Sequence, residues 1–144
     1  MIPVQVKKLN PNAEIPNYMT SGSAGCDVKA CLPEALEIKP AQRVAVPTGL
    51  AFGIPEGFEI QVRPRSGLSI KQGLTVVNSP GTIDCDYRGE VMVLMINLGA
   101  ESVRIQHGDR IAQLVIQKAE QIQWSSVEDL SKTERGAGGF GSTG

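Results

Sequence analysis

The sequence predicts an all-β fold, and three observations favour that class. Helical periodicity is nearly absent along the 144 residues. Short runs of β-type residues recur between Gly and Pro residues, which is typical of a β-sandwich or barrel. Residues 58–63, FEIQVR, alternate apolar and polar side chains, as in a strand with one solvent-facing side. The length suits one domain with a modest core.

Further elements follow in chain order. Residues 44–46 and 50–52 are apolar and flank Pro47-Thr48-Gly49, a turn signal. Residues 66–71 are expected to form one or two helical turns. Residues 91–96, VMVLMI, contain no polar side chain, which predicts a strand covered on both faces by the core or by a neighbouring subunit. The run 111–116 is similar, interrupted only by a glutamine.

Composition excludes several classes of protein. The net charge is −1, from 14 basic and 15 acidic residues, so neither nonspecific nucleic-acid binding nor binding to an anionic membrane is predicted. No apolar run is long enough to span a bilayer, and residues 1–10 lack a signal-peptide stretch. Three cysteines without CxxC spacing and a single histidine predict neither a disulfide framework nor a zinc site. We expect reduced thiols and a cytoplasmic location.

Common catalytic constellations are not supported. His107 is the single histidine and lies in residues 106–109, QHGD, which are expected to form a surface turn. Geometry and roles define a catalytic triad, and nothing in the sequence supports either for His107. Neither GxxxxGK[ST] nor GxGxxG is present, so the sequence lacks both standard nucleotide loops.

Residues 63–67, RPRSG, form a candidate phosphate site at the start of the predicted helical turn. Ser66 is expected to cap the turn, and Gly67 lets an anion approach the backbone N–H groups. A helix N-terminus beside the Arg65 guanidinium is suited to phosphate. The alternative is an ordinary capped turn with surface arginines.

Residues 81–90, GTIDCDYRGE, place two aspartates and a tyrosine close together. If this stretch is extended, Asp84 and Asp86 share one face and Cys85 and Tyr87 the other, whereas a tight bend would change that. A carboxylate in a pocket is able to activate water, and a tyrosine ring is able to pack on a sugar or base. The alternative is a polar hairpin loop.

Two other segments carry open alternatives. Residues 24–28, AGCDV, are expected to form a turn in which Asp27 either orients a metal-bound water or caps the turn. Residues 131–144, SKTERGAGGFGSTG, are expected to be mobile by composition. This tail is either a frayed terminus or a lid that places Phe140 over a flat ligand.

Taken together, five segments resemble the ordered motifs of the trimeric dUTPase family and span nearly the whole chain. In this sequence they are AGCDVKA (24–30), RPRSGLSIKQG (63–73), GTIDCDYRGEV (81–91), GDRIAQLVI (108–116) and RGAGGFGSTG (135–144). Cys26 departs from the aromatic or aliphatic residue that is usual in the family, which puts local packing in doubt and not the chemistry.

The resemblance implies a jelly-roll-like β-barrel that forms a homotrimer with shared active sites. It implies one domain, with residues 1–134 as the barrel and residues 135–144 as a flexible lid. The implied reaction is the Mg²⁺-dependent hydrolysis of dUTP to dUMP and pyrophosphate, which limits uracil in DNA and supplies dUMP for thymidylate synthesis. The expected ligand is dUTP and the expected partners are further copies of the chain, with no stable nucleic-acid binding and no membrane association.

The resemblance also implies a role for individual residues. Asp84 would activate the water that attacks the α-phosphorus, and Asp27 would position Mg²⁺ through water, with the metal held mainly by the triphosphate. Tyr87 would pack beneath the deoxyribose, and Phe140 would stack on uracil. The substrate-binding residues would be Arg65, Ser66, Gly67, Asn78, Thr82, Ile83, Asp84, Tyr87, Met92, Gln113, Arg135, Phe140, Gly141, Ser142 and Thr143.

Two competing functions remain at this point. A dCTP deaminase or bifunctional relative on the same fold would have to displace an exocyclic amine and would resemble its own family's motifs. A noncatalytic nucleotide sensor or a protein-binding regulator would be favoured by loss of the Asp84 carboxylate or of the Gly-rich tail. Both of these features are present in the sequence.

Overall fold

The fold is all-β, with eleven strands and one short helix in a computed structural model that describes residues 1–141. The elements are β1 Gln5–Lys8, β2 Cys26–Lys29, β3 Leu36–Ile38, β4 Arg43–Pro47, β5 Leu50–Gly53, β6 Phe58–Arg63, α1 Ser66–Gln72, β7 Leu74–Val76, β8 Gly81–Ile83, β9 Met92–Asn97, β10 Val103–Ile105 and β11 Arg110–Lys118. The expected strands at 58–63, 91–96 and 111–116 and the expected helical turns at 66–71 are therefore confirmed, each within a residue or two.

The strands form four antiparallel sheets. The largest has the order β2-β11-β6-β8, a second has the order β4-β9-β7, and β1-β5 and β3-β10 form two-stranded sheets. Within residues 1–141 these ladders do not join into one closed barrel, so the expected jelly-roll-like barrel is confirmed only as an all-β fold. Four of the strands, β3, β7, β8 and β10, are three residues long, which leaves few ladder hydrogen bonds to carry a sheet further round.

The core receives apolar side chains from every sheet. Val28, Ile38, Leu50 and Leu74 are completely buried, and they come from β2, β3, β5 and β7, one strand of each sheet. Full burial of one such side chain contributes roughly 1.5–3 kcal/mol. A core shared in this way holds the small sheets together although each is narrow.

Strand β9 shows a two-sided pattern that its sequence does not. Val93 and Met95 are buried in the core, whereas Met92 and Leu94 remain 43% and 41% exposed. One face of the predicted doubly covered strand is therefore covered by the core of this chain, and the other is an open apolar face.

The turn at residues 47–49 joins two sheets and does not close a hairpin. Strand β4 before it pairs with β9, and strand β5 after it pairs with β1. Gly49 has a φ of 68°, and a Cβ atom there would lie 2.8 Å from the Cβ of Ala13. A side chain at Gly49 would meet both backbone strain and a packed neighbour, so the glycine fixes this connection.

Two local predictions were wrong. Residues 26–28 belong to strand β2, where Asp27 pairs with Gln113 of β11, and do not form a turn. Ser66 does not cap the helix, because α1 begins at Ser66 itself and Arg65 holds the cap position without a side-chain cap hydrogen bond. The side chain of Ser66 is consequently exposed at the first helical position.

The predicted surface turn at residues 106–109 is confirmed, and its histidine has a structural contact. The backbone N–H of Leu32 donates a hydrogen bond to Nδ1 of His107 over 3.3 Å.

Cys26, Cys31 and Cys85 are free thiols. Among the residues described, no helix has the length and apolar character needed to cross a membrane.

Candidate active site

A cavity of about 300 Å³ lies at the end of β8. Its lining residues are Val62, Asn78, Gly81, Thr82, Ile83, Asp84, Tyr87, Glu90, Val91, Met92 and Leu94. Six of the residues predicted from sequence are among them, namely Asn78, Thr82, Ile83, Asp84, Tyr87 and Met92. The lining combines an apolar wall with two carboxylates, an amide and backbone polar groups, which is the usual character of a small-molecule site.

A tight bend after β8 determines which aspartate faces the cavity. The strand ends at Ile83, and residues 85 and 86 form a turn in which the Tyr87 N–H donates to the Asp84 carbonyl over 3.2 Å. Asp84 lines the cavity, and Asp86, two residues further on, is not among the lining residues. The two carboxylates are therefore separated in role by the bend, and the extended alternative does not apply.

A second cluster surrounds Asp27 on strand β2. Its carboxylate accepts from Arg65 Nε at 3.0 Å and from Arg110 Nη1 at 3.1 Å, and Gln113 Nε2 lies 3.4 Å away. Asp27 is only 7% exposed, so burial removes most of the water from its carboxylate. These contacts replace the hydrogen bonds to water that are lost. Charge-assisted bonds to two guanidinium groups fix the position of Arg65 at the start of α1.

The sheet register explains why this cluster forms. Gln113 of β11 lies opposite Asp27 on one side and opposite Arg63 on the other. Arg65 follows the end of β6 by two residues, so it reaches back over the row to Asp27. Its Nη1 atom also donates to the Arg110 carbonyl over 3.3 Å. One side chain is thus held from two neighbouring strands.

Two residues at these sites were missed by the sequence-based predictions. Arg110 contacts Asp27, and its signal was its position in the 108–116 motif, three residues before Gln113. Glu90 lines the cavity, and its Oε1 accepts from the Gly49 N–H over 2.8 Å. Glu90 belongs to the segment 81–90, but its contact with Gly49 joins distant parts of the chain and leaves no local pattern.

The structure does not bring all the predicted residues together. Arg65, Ser66, Gly67 and Gln113 are not among the residues that line the cavity, and Ser66 and Gly67 are exposed at the start of α1.

In the tail, Arg135 Nε donates to the Gly138 carbonyl over 2.7 Å. Phe140 and Gly141 are exposed. Ser142 and Thr143 lie outside the described residues.

The described residues contain no cluster of three or more His, Cys, Asp or Glu side chains able to hold a metal ion. Asp27 is already engaged by two guanidinium groups, and Asp84 is a single exposed carboxylate. This donor set is suited to a divalent cation that a phosphate ligand carries with it, since Mg²⁺ commonly binds through one or two carboxylates and substrate phosphates.

An all-β core, a cavity with the exposed carboxylate of Asp84 at its rim and an arginine beside a helix start together suit a nucleotide-binding class of protein. Comparison with known proteins makes the class specific. The dUTPase family model matches residues 11–144. The chain belongs to the dUTPase family, as the five motifs predicted.

Relatives of high identity support this assignment. The chain is 62% identical over 130 residues to the deoxyuridine 5'-triphosphate nucleotidohydrolase of Desulfotalea psychrophila, covering 90% of this chain and 87% of that protein. It is 56% identical over 141 residues to the protein of the same name from Wolinella succinogenes, covering 98% and 93%. The family of this enzyme is that of the dUTP diphosphatases.

Solved structures of phage dUTPases share the fold. A variant of the Staphylococcus bacteriophage 80alpha dUTPase with dUpNHpp has a TM-score of 0.89 at 30% identity, covering 99% of this chain and 98% of that chain. A variant of the dUTPase from phage phi11 of S. aureus has a TM-score of 0.79 at 26% identity, covering 88% and 97%. The phi11 structure is described as revealing the coordination of a structural Mg(II) ion.

Proposed function

We propose that this chain hydrolyses dUTP to dUMP and pyrophosphate, with Asp84 activating the attacking water. The observation that carries this proposal is the cavity that places Asp84 beside Asn78, Thr82 and Tyr87 in a member of the dUTPase family. Binding of dUpNHpp by the 80alpha enzyme supports a deoxyuridine triphosphate as the ligand.

The base and the sugar would occupy the cavity. Asn78 and main-chain groups around Thr82, Ile83 and Met92 would read the uracil edge, and all four residues line the cavity. Tyr87 would lie beneath the deoxyribose and leave no room for a 2'-hydroxyl. Discrimination against dCTP would come from hydrogen bonds that match uracil and leave the cytosine edge unpaired, which is costly in a desolvated pocket.

The chemical step uses one carboxylate. Asp84 would accept a proton from water as the water oxygen attacks the α-phosphorus, and the bond to the bridging oxygen of pyrophosphate would break. The turn hydrogen bond from the Tyr87 N–H to the Asp84 carbonyl holds the backbone of Asp84 at the cavity rim. A single base suffices because phosphoryl transfer depends mostly on positioning and on neutralising charge.

Phosphate binding would use the start of α1 and the tail. Arg65, Ser66 and Gly67 present a guanidinium, a hydroxyl and first-turn N–H groups, which together suit phosphate oxygens. Gln113 lies in the same cluster. From the tail, Arg135, Ser142 and Thr143 would add phosphate contacts, and Phe140 beside Gly141 would stack on uracil.

Mg²⁺ would be held mainly by the triphosphate, with Asp27 positioning it through water. When bound, the cation would neutralise phosphate charge and orient the triphosphate. The coordination of Mg(II) described for the phi11 enzyme supports a divalent metal in this family. The protein's own contribution is the Asp27–Arg65 pair, which fixes a carboxylate and a guanidinium side by side.

The active site would be shared within a homotrimer. The open apolar face at Met92 and Leu94, the phosphate residues outside the cavity lining and the exposed tail all favour this arrangement. Residues 1–134 would form the domain, and residues 135–144 would close over a site built by other subunits. In the cytoplasm the reaction would limit uracil in DNA and supply dUMP for thymidylate synthesis.

Pyrophosphate release from dUTP, compared with UTP, dTTP and dCTP, tests the proposal. We expect release from dUTP in large excess over the other three nucleotides. Ammonia release from dCTP would instead identify a deaminase. Tight dUTP binding without pyrophosphate release in the presence of Mg²⁺ would identify a noncatalytic sensor.

A further inference from the structure

Tyr87 is partly exposed, and an exposed ring rejects a larger sugar only if something prevents the ring from moving. Its side chain is 46% exposed at the cavity wall. A free tyrosine ring changes rotamer quickly at little cost, so steric exclusion of a 2'-hydroxyl requires a contact that holds the ring. The structure contains such a contact.

The Tyr87 hydroxyl donates a hydrogen bond to the main-chain carbonyl of Glu90 over 3.0 Å. The ring reaches this carbonyl by lying across Gly89. A Cβ atom on Gly89 would lie 2.4 Å from the Tyr87 Oη atom and 2.7 Å from Cζ, distances that real atoms do not tolerate. Gly89 does not have the left-handed φ that favours glycine, so space for the ring explains this residue.

The carbonyl that receives the hydroxyl is itself anchored to the core. Glu90 Oε1 accepts from the Gly49 N–H over 2.8 Å, and the Val91 N–H donates to the Leu50 carbonyl over 2.8 Å. The Thr48 hydroxyl donates to the Val91 carbonyl over 2.6 Å. Thr48, Gly49 and Leu50 are all buried, so the tether ends on the buried connection between β4 and β5.

We propose that the Tyr87 hydroxyl, anchored through Glu90 on the buried residues 48–50, holds the ring that excludes ribonucleotides. This inference rests on the proposed function and deepens it, because it assigns sugar specificity to a clamp of several residues. The ring supplies the steric wall, Gly89 provides the space for it, and Glu90 is a positioning residue that acts through Tyr87. Loss of the tether should let the ring move aside for a 2'-hydroxyl while the ring itself stays present.

The direct test replaces Tyr87 with Phe, which removes the hydroxyl and keeps the ring. We expect the ratio of kcat/KM for dUTP to that for UTP to fall about three- to tenfold through a gain with UTP, the order expected for one net hydrogen bond. Tyr18→Phe makes the same chemical change at a residue outside the active-site cavity and should leave the ratio unchanged. An unchanged ratio in Tyr87→Phe would overturn the proposal.

Two variants of Glu90 distinguish a positioning role of this residue from general damage to the fold. Glu90→Gln keeps a side-chain oxygen able to accept from the Gly49 N–H, whereas Glu90→Ala removes it. We expect Glu90→Ala to lower the dUTP to UTP ratio and Glu90→Gln to restore it. Equal ratios in the two variants would overturn the role of Glu90.

Gly89→Ala should displace the ring and lower the ratio, with Gly22→Ala as the control, since a Cβ at Gly22 meets no atom within 4 Å. Affinities for dUpNHpp and its ribose counterpart, measured with the same variants, test the clamp without hydrolysis. A wild-type chain that prefers the deoxy analogue but releases no pyrophosphate would reject the proposed function alone. A wild-type chain without any preference for the deoxy sugar would reject both.

Discussion

Two aspartates of this chain carry the same functional group in opposite environments. Asp27 is 7% exposed and accepts hydrogen bonds from two arginines, whereas Asp84 is exposed at a cavity rim immediately after β8. A buried carboxylate with two guanidinium partners is suited to fixing geometry, and an accessible one is suited to taking a proton from water.

Replacing Asp84 with Asn keeps the shape of the side chain and removes the base. We expect pyrophosphate release from dUTP to fall by about 10²–10⁴-fold, with nucleotide binding largely kept. Single-turnover kinetics and calorimetry measure the two effects separately. Asp86→Asn makes the same change two residues away and outside the cavity lining, and near-normal turnover in Asp84→Asn would remove it as the general base.

Replacing Asp27 with Asn removes the charge that both arginines contact. We expect the free energy of unfolding to fall by roughly 1.5–3 kcal/mol, the range for hydrogen bonds to a charged group. The KM for dUTP should rise if Asp27 positions Arg65, and the Mg²⁺ concentration for half-maximal activity should rise if it positions the metal. Asp129→Asn, at an exposed position, is the control, and a variant unchanged in all three measurements would contradict both roles.

Among the elements, β2 is attached to the preceding loop through an ion pair at the surface. Lys29 of β2 donates to Glu14, and this hydrogen bond together with the lysine charge lowers the pKa of the Glu14 carboxyl. A carboxyl with a lowered folded pKa stabilises the fold above its unfolded pKa of about 4.3, and that contribution is lost as pH falls through the folded pKa.

Glu14→Gln should therefore reduce thermal stability slightly near neutral pH and leave it nearly unchanged at the acid end. The difference in melting temperature between wild type and Glu14→Gln, followed from pH 7 to pH 3, measures this directly. Glu56→Gln, an exposed glutamate before β6, serves as the comparison. A difference in melting temperature that grows as the pH falls would contradict this prediction.

The tail is the element for which a frayed end and a lid differ most. Deleting residues 135–144 should leave assembly and melting temperature nearly intact while activity collapses, because the tail would act only on bound nucleotide. Phe140→Ala alone should weaken nucleotide binding about tenfold, since stacking on a base contributes roughly 1–3 kcal/mol. Full activity in the truncated variant would identify the tail as a frayed terminus and remove Arg135, Phe140, Ser142 and Thr143 from the site.

At the scale of the whole molecule, the open apolar face of β9 is a candidate interface with another subunit. Met92 and Leu94, which also line the active-site cavity, are 43% and 41% exposed, and Val77 on the neighbouring segment is exposed as well. Contiguous apolar residues on a sheet face are typical of an interface between subunits.

We expect a trimer by light scattering and dissociation in Leu94→Glu, because a buried unpaired charge opposes association. Ile70→Glu, at an exposed apolar residue on α1, should leave the trimer intact. An active wild-type monomer at assay concentration would contradict a shared site.

The sequence by itself determined the class of fold, the position of five of the eleven strands and the family. Alternation in β6, the unbroken apolar run in β9 and the helical turns after Arg65 are local patterns, and local patterns survive without knowledge of the partner strands. Asn78, Asp84 and Tyr87 were identified only through the resemblance of the chain to the family, since each residue alone is ordinary. The prediction of a turn at residues 24–28 was wrong. Small residues are typical of turns, but here they lie directly before a short strand, and the local pattern is the same in both cases.

Only the tertiary structure decided which residues meet. The contacts of Asp27 with Arg65 and Arg110 join residues 38 and 83 positions apart, and the contact of Glu90 with Gly49 spans 41. Such pairs depend on sheet register and on buried turns, which no local pattern encodes. The hydrogen bond from Tyr87 to Glu90 spans only three positions, yet the sequence does not predict it. It depends on the bend that places the ring over Gly89, and a sequence does not reveal where a side chain lies.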